Sequence, residues 1–206
     1  MKKLAFSLVL LFAVGGCDKQ QAPKTTTSAI TATAPVSGPF TAQELQKFAA
    51  LDPIDTHTHI YQPAPAIYAM LNALNLHTLD ILVDSDNDPL GRNLALESKD
   101  AWDVVHKSDG RIAFCTTFDP YIFSRPNFDS VSIQKINSDF AQGAVAVKLW
   151  KNVGMEIKEV KGKYIMPDNP VFEPMFKDIE AHHKTLITHV ADPNSAWEAP
   201  NPALPD

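Results

Sequence analysis

Past residue 40, the apolar positions of this 206-residue chain follow two alternating rhythms. Compact apolar runs occupy residues 51–55, 79–83, 111–117, 144–149 and 185–190, and turn-type residues such as Asp84-Ser85-Asp86-Asn87 and Asp119-Pro120 close them. Between the runs, apolar residues recur at helical spacing. Ile67, Met70, Leu71 and Leu74 form one stripe, and a polar-faced stretch over 94–106 ends at Asp109-Gly110. Ile133, Ile136 and Phe140 form another that stops near Gly143, and Phe172, Met175, Phe176 and Ile179 follow Asn169-Pro170. Compact runs bounded by turn residues predict buried strands, and stripes with a 3.6-residue period predict helices. Asn169 supplies a cap and Pro170 suits a first helical turn, while Lys161-Gly162-Lys163 fits the turn of a small hairpin in a loop insertion. Strand and helix in alternation predict βα units on a parallel sheet. Right-handed crossovers wind such units either into a barrel or into an open doubly wound sheet.

The folded part begins at Thr41-Ala42-Gln43-Glu44, a capping box ahead of Leu45 and Phe48. About 165 residues remain from there, enough for one ordinary core. Residues 17–40 are rich in Thr, Ala, Ser, Pro and Gln without apolar periodicity and read as a flexible tether. Residues 1–16 carry Lys2-Lys3, an apolar stretch over 4–14 and Gly15-Gly16 just before Cys17, the plan of an export signal. The apolar stretch is too short for a membrane-spanning helix, which needs ~20 residues. This pattern resembles the lipobox of bacterial lipoproteins. The resemblance implies lipid on Cys17 and a membrane-anchored protein of the cell envelope facing the periplasm, and Asp18 resembles a signal for inner-membrane retention. An ordinary secretory signal with an incidental cysteine is the plainer alternative. Cys115 is the only other cysteine. With Cys17 lipidated no intramolecular disulfide forms, and Cys115, inside Ile112-Ala113-Phe114-Cys115, is expected to be an inert buried thiol. A net charge of -6 and the lack of a Lys/Arg cluster argue against a nucleic-acid surface.

Asp55-Thr56-His57-Thr58-His59 closes the first strand. Residues two apart on a strand share a face, so His57 and His59 bring two imidazoles within reach of one ion. An H-x-H pair alone is a weak signal. Lys148 ends the fourth strand and His189 the fifth. In a parallel α/β barrel the active site forms at the carboxyl ends of the strands, where these residues would converge. Taken singly, each is more commonly a satisfied polar residue at a rim.

Three motifs give these positions a pattern: Ile54-Asp55-Thr56-His57-Thr58-His59, Val147-Lys148-Leu149-Trp150-Lys151-Asn152-Val153-Gly154 and Thr188-His189-Val190-Ala191-Asp192-Pro193. With them, residues 41–206 resemble the amidohydrolase superfamily of metal-dependent hydrolases, in its amidohydrolase-related branch, which also includes decarboxylases. The resemblance implies an α/β fold of the (β/α)8 TIM-barrel type with a divalent metal, often zinc, at the strand ends. It makes His57, His59 and His189 metal ligands. Lys148 stands where some members carry a carbamylated lysine bridging two metals; an unmodified lysine would instead hold a substrate carboxylate or a nearby acid. Asp55 and Asp192 adjoin ligand positions and would orient a histidine from behind. Neutral imidazole suits zinc, which in catalytic sites keeps three protein ligands and a place for water, and lowers the pKa of that water.

The implied reaction is attack on an amide, ester or lactone carbonyl of a small-molecule substrate, with decarboxylation as the alternative. The family's pattern has eight strands, the last bringing an aspartate that acts as general base, and this chain supplies about five. The expectation is therefore a barrel truncated after about five strands, the amino-terminal part of a longer protein. A catalytically inactive lipoprotein or binding module is the rival from another class. Tyr61, Trp150 and Trp197 are candidates to line a pocket. His182-His183 reads as a solvated helix end, and His77 and His106, before a strand and on a polar helix face, are assigned no role. Asp84, Asp86 and Asp88 read as a surface loop near the barrel mouth, since the glycine and distal glutamate of a calcium loop are missing.

Overall fold

The structure is a computed structural model and describes residues 39–85, 87–88 and 91–189. Cys17 with its lipobox, the tether up to residue 38, Asp86, Asp192 and Trp197 lie outside the described residues. The capping box opens α1 (Ala42–Ala49): the Thr41 hydroxyl accepts the Glu44 N–H at 3.2 Å, and Glu44 Oε2 takes the Thr41 N–H at 2.7 Å. The chain then runs β1 (Ile54–Thr58), α2 (Pro65–Ala73), β2 (His77–Ile81), α3 (Arg92–His106), β3 (Ile112–Thr116), α4 (Phe128–Gln142) and β4 (Ala146–Leu149). A short helical turn, α5 (Asn152–Met155), is broken at Val153 and Gly154, and α6 (Glu173–Ala181) and β5 (Thr185–Thr188) complete the series. Gly143, at φ 114, takes the left-handed turn that ends α4. Gly162, at φ 78, turns the small hairpin bridged by Lys158 and Tyr164.

All five strands are parallel and pair in chain order, β1-β2-β3-β4-β5. Each new strand joins the edge left by its predecessor. The order never reverses, so the sheet lacks the switch point of a doubly wound fold, and it curls into a half-barrel with helices packed against it.

Side chains alternate between the faces of each strand. On the convex side, Val147 and Leu149 of β4 pack with Ile136 of α4 and with Met175 and Ile179 of α6. Phe114 of β3 packs with Ala101 and Trp102 of α3. The alternate positions Ile81, Cys115 and Ala146 meet Ile187 in a smaller apolar patch on the concave side. Lys148 pairs in register with Ile187 and so joins that face. Cys115 is a free, fully buried thiol, as expected.

Four expectations change. β1 starts at Ile54 instead of residue 51 and runs on through polar residues to Thr58, because it pairs with β2 from Ile54–His77 onward. β2 starts at His77, ahead of its apolar run, because the His77 N–H bonds Pro53 O at 2.9 Å and carries polar residues into the ladder. β4 starts at Ala146 instead of Ala144, whose N–H is drawn back to Asp139 O at 2.9 Å to close the turn after α4. Asp84 is buried instead of lying in a surface loop, and its carbonyl accepts from Asn152 Nδ2 at 2.8 Å. Among the described residues no helix is long and apolar enough to cross a membrane.

Candidate functional site

The β1–β2 ladder shifts between Asp55, paired with Thr78, and Thr58, paired with Asp80. Three residues of β1 therefore span two of β2, which marks a local bulge of the kind that re-aims side chains. The Thr58 hydroxyl secures the far end of this shift by donating to Leu79 O at 3.0 Å. The rings of His57 and His59 stand edge to face with centroids 5.2 Å apart at 70°, and both residues are exposed. Asp55 accepts the His57 backbone N–H at 2.9 Å, so its hydrogen bond goes to the main chain of His57.

His59 Nδ1 lies 2.7 Å from Ile81 O. A carbonyl oxygen only accepts, which assigns the proton to Nδ1 and leaves the lone pair on Nε2. That is the arrangement of a metal-ligating histidine, whose second nitrogen usually donates to a carbonyl or carboxylate. Tyr61 stacks on the same ring with centroids 6.5 Å apart.

Lys148 is 2% exposed and has no hydrogen-bond or ion-pair partner for its ammonium among the described residues. Burial lowers its pKa, against a smaller opposing pull from Cys115. Burial also pushes the Cys115 thiol up to about 12, which makes it unreactive. His57 is held below the ordinary histidine value, first by desolvation and then by the charges of Lys148 and His59. Asp55 pulls the other way, and His189 adds to the lowering. His59, Lys148 and His189 thus all act on His57, and the four residues stand within or just after three separate strands, β1, β4 and β5. His189 follows β5, donates its backbone N–H to Leu149 O at 3.1 Å, and lines a cavity of about 340 Å³ with Lys151, Met155, Met166 and Pro167.

The donor set fits a borderline cation such as zinc: two adjacent imidazoles, one locked with Nε2 free and the other biased towards its neutral form. Among the described residues no three His, Cys, Asp or Glu side chains form a group that could hold a metal ion.

Two residues of this region escape a reading of the sequence. Asp80 is 2% exposed; its Oδ1 accepts the Ile60 N–H at 2.8 Å and its Oδ2 has no partner. Burial raises its pKa to about 6, with the Ile60 hydrogen bond and the His59 charge pulling it back. The available signal was an acid inside the run Leu79-Asp80-Ile81-Leu82. Asn152, fully buried, ties the loop after β4 to the loop after β2 through Asp84. No family model, curated protein or solved structure matches the chain.

Proposed function

We propose that the half-barrel belongs to a TIM-type barrel enzyme of the amidohydrolase-related kind, a metal-dependent hydrolase acting on an amide, ester or lactone of a small molecule. The observation that carries this reading is the gathering of His57, His59, Lys148 and His189 at the carboxyl end of one parallel sheet, the end where barrel enzymes keep their chemistry. His59 would bind through Nε2, because Ile81 O occupies its other nitrogen. His57 would bind as the neutral imidazole its surroundings favour, and His189 would join from β5. When bound, a divalent ion such as zinc supplies Lewis acidity, lowering the pKa of a coordinated water and polarising a carbonyl. Lys148 offers a cationic head with no competing carboxylate, suited to a substrate carboxylate or to negative charge developing on the substrate. That feature also favours decarboxylation as a second reading.

Lipid on Cys17 would hold the enzyme at the cell envelope, facing the periplasm, with residues 17–40 as spacer. This part rests on Val14-Gly15-Gly16-Cys17, and loss of a lipid label in Cys17→Ser would support it. The catalytic reading is tested with a panel of chromogenic esters, lactones and anilides in zinc, with CO2 release followed in parallel on carboxylate substrates. Turnover should be abolished by a chelator and by His57→Ala with His59→Ala. Turnover unchanged in the double variant would overturn the assignment.

A further inference from the structure

We propose that Asp80 is the positioning residue that fixes the His59 ring for metal binding, an inference that rests on the metal reading above. The β1–β2 ladder ends at the Thr58–Asp80 pair. Beyond it the chain departs towards Pro63, and two bonds of another kind replace the ladder. The His59 ring donates to Ile81 O at 2.7 Å, and the next residue, Ile60, donates its N–H to Asp80 Oδ1 at 2.8 Å. Adjacent residues just after β1 thus bond adjacent residues of β2. The ring bond keeps its geometry only while the backbone beside it is held, and Asp80 is what holds it.

Packing alone does not explain an aspartate here. The carboxylate sits inside a parallel strand with Oδ2 unpartnered, beside a cavity of about 130 Å³ that it lines with Leu82, Glu97 and Ala101. A buried polar atom without a hydrogen bond is costly. An apolar residue would fill the strand without that cost and would leave the Ile60 N–H unheld. The one service the side chain performs is to capture that N–H next to His59.

The test compares Asp80→Asn with Asp80→Leu, both near the size of aspartate, of which only asparagine can accept from Ile60. Leucine also removes the buried charge, so the variant is expected to fold. Zinc affinity is measured by chelator competition, and the His59 tautomer by long-range nitrogen–proton NMR of metal-free protein, with His59→Ala as reference. Asp80→Leu should weaken zinc about 10–100-fold and turn the single Nδ1–H tautomer of His59 into a mixture, while Asp80→Asn keeps that tautomer and most of the affinity. An Asp80→Leu protein with wild-type affinity or a wild-type tautomer would overturn the proposal. If the wild type and His59→Ala bind zinc equally poorly, the metal reading itself fails. The tautomer then decides alone whether Asp80 positions the ring.

Discussion

Two buried aspartates face opposite circumstances. Asp139 on α4 is 4% exposed and Asp80 on β2 is 2% exposed. Asp139 accepts from Trp102 Nε1 at 3.0 Å, from Lys135 Nζ at 2.6 Å and from the Thr116 hydroxyl, which binds α3, α4 and β3 together. Asp80 accepts one backbone N–H and keeps an empty oxygen. A buried polar network with every member satisfied makes a structure rigid and specific, whereas a half-satisfied one costs stability. Such costs persist where function requires them. Asp139 is accordingly assigned to the architecture and Asp80 to the site at the strand ends.

The largest effect that would sharpen this contrast is on Asp139. Asp139→Ala removes the acceptor from three donors and leaves the Lys135 ammonium, half-buried against Ser98 and Thr116, without its counter-charge. Breaking a buried pair from one side costs about 3–5 kcal/mol, and urea unfolding should show a loss in that range. A loss below about 1 kcal/mol would place Asp139 among ordinary surface ion pairs.

Asp80 should respond with the opposite sign. Its carboxyl rises from 3.8 to about 6 on folding, so between those values the native state binds more protons than the unfolded chain. Stability then falls as pH rises through that window, and the full cost, roughly 3 kcal/mol, is present above it. Asp80→Asn should therefore stabilise the metal-free protein by a few kcal/mol near neutral pH, have little effect below about pH 4, and flatten the slope between. Destabilisation at neutral pH would show that the carboxylate is satisfied after all.

A third measurement concerns the concave face. Cys115 is buried with its thiol pushed up to about 12, so native protein should react with a thiol reagent at least about a thousandfold more slowly than urea-unfolded protein. Rapid native labelling would show that the concave apolar patch opens readily to solvent. The smallest effect belongs to α1, whose hydrogen bonds are complete but which buries no residue. Thr41→Ala should cost about 1 kcal/mol of local helix stability, seen as faster amide exchange within α1 and nearly unchanged global unfolding.

Much of the fold was legible because β3 and β4 fall within compact apolar runs and α2, α4 and α6 carry apolar stripes at helical spacing. Asn169 accepts the Val171 N–H at 3.1 Å behind Pro170, as that dipeptide implied. Winding direction was not legible, because barrel and doubly wound sheets share the same local alternation and only pairing order separates them. The early start of β2 was hidden for a related reason: His77 and Thr78 enter the strand through backbone bonds, which hydropathy does not register. His57, His59, Lys148 and His189 could be grouped because strand ends of a parallel sheet lie together. Asp80 could not, since one acid in an apolar run does not reveal that its partner is the backbone of Ile60, twenty residues earlier. Asp84 looked exposed because the residue that covers it, Asn152, comes from a loop two strands later.

The central claim is that the strand ends hold a divalent ion through the β1 histidines. Its most direct test is a chelator-competition titration of zinc into the purified chain and into the His57→Ala, His59→Ala double variant at matched folding. Saturable binding by the wild type that disappears in the variant is the predicted result. Equal binding by both, or no saturable binding by the wild type, would contradict it.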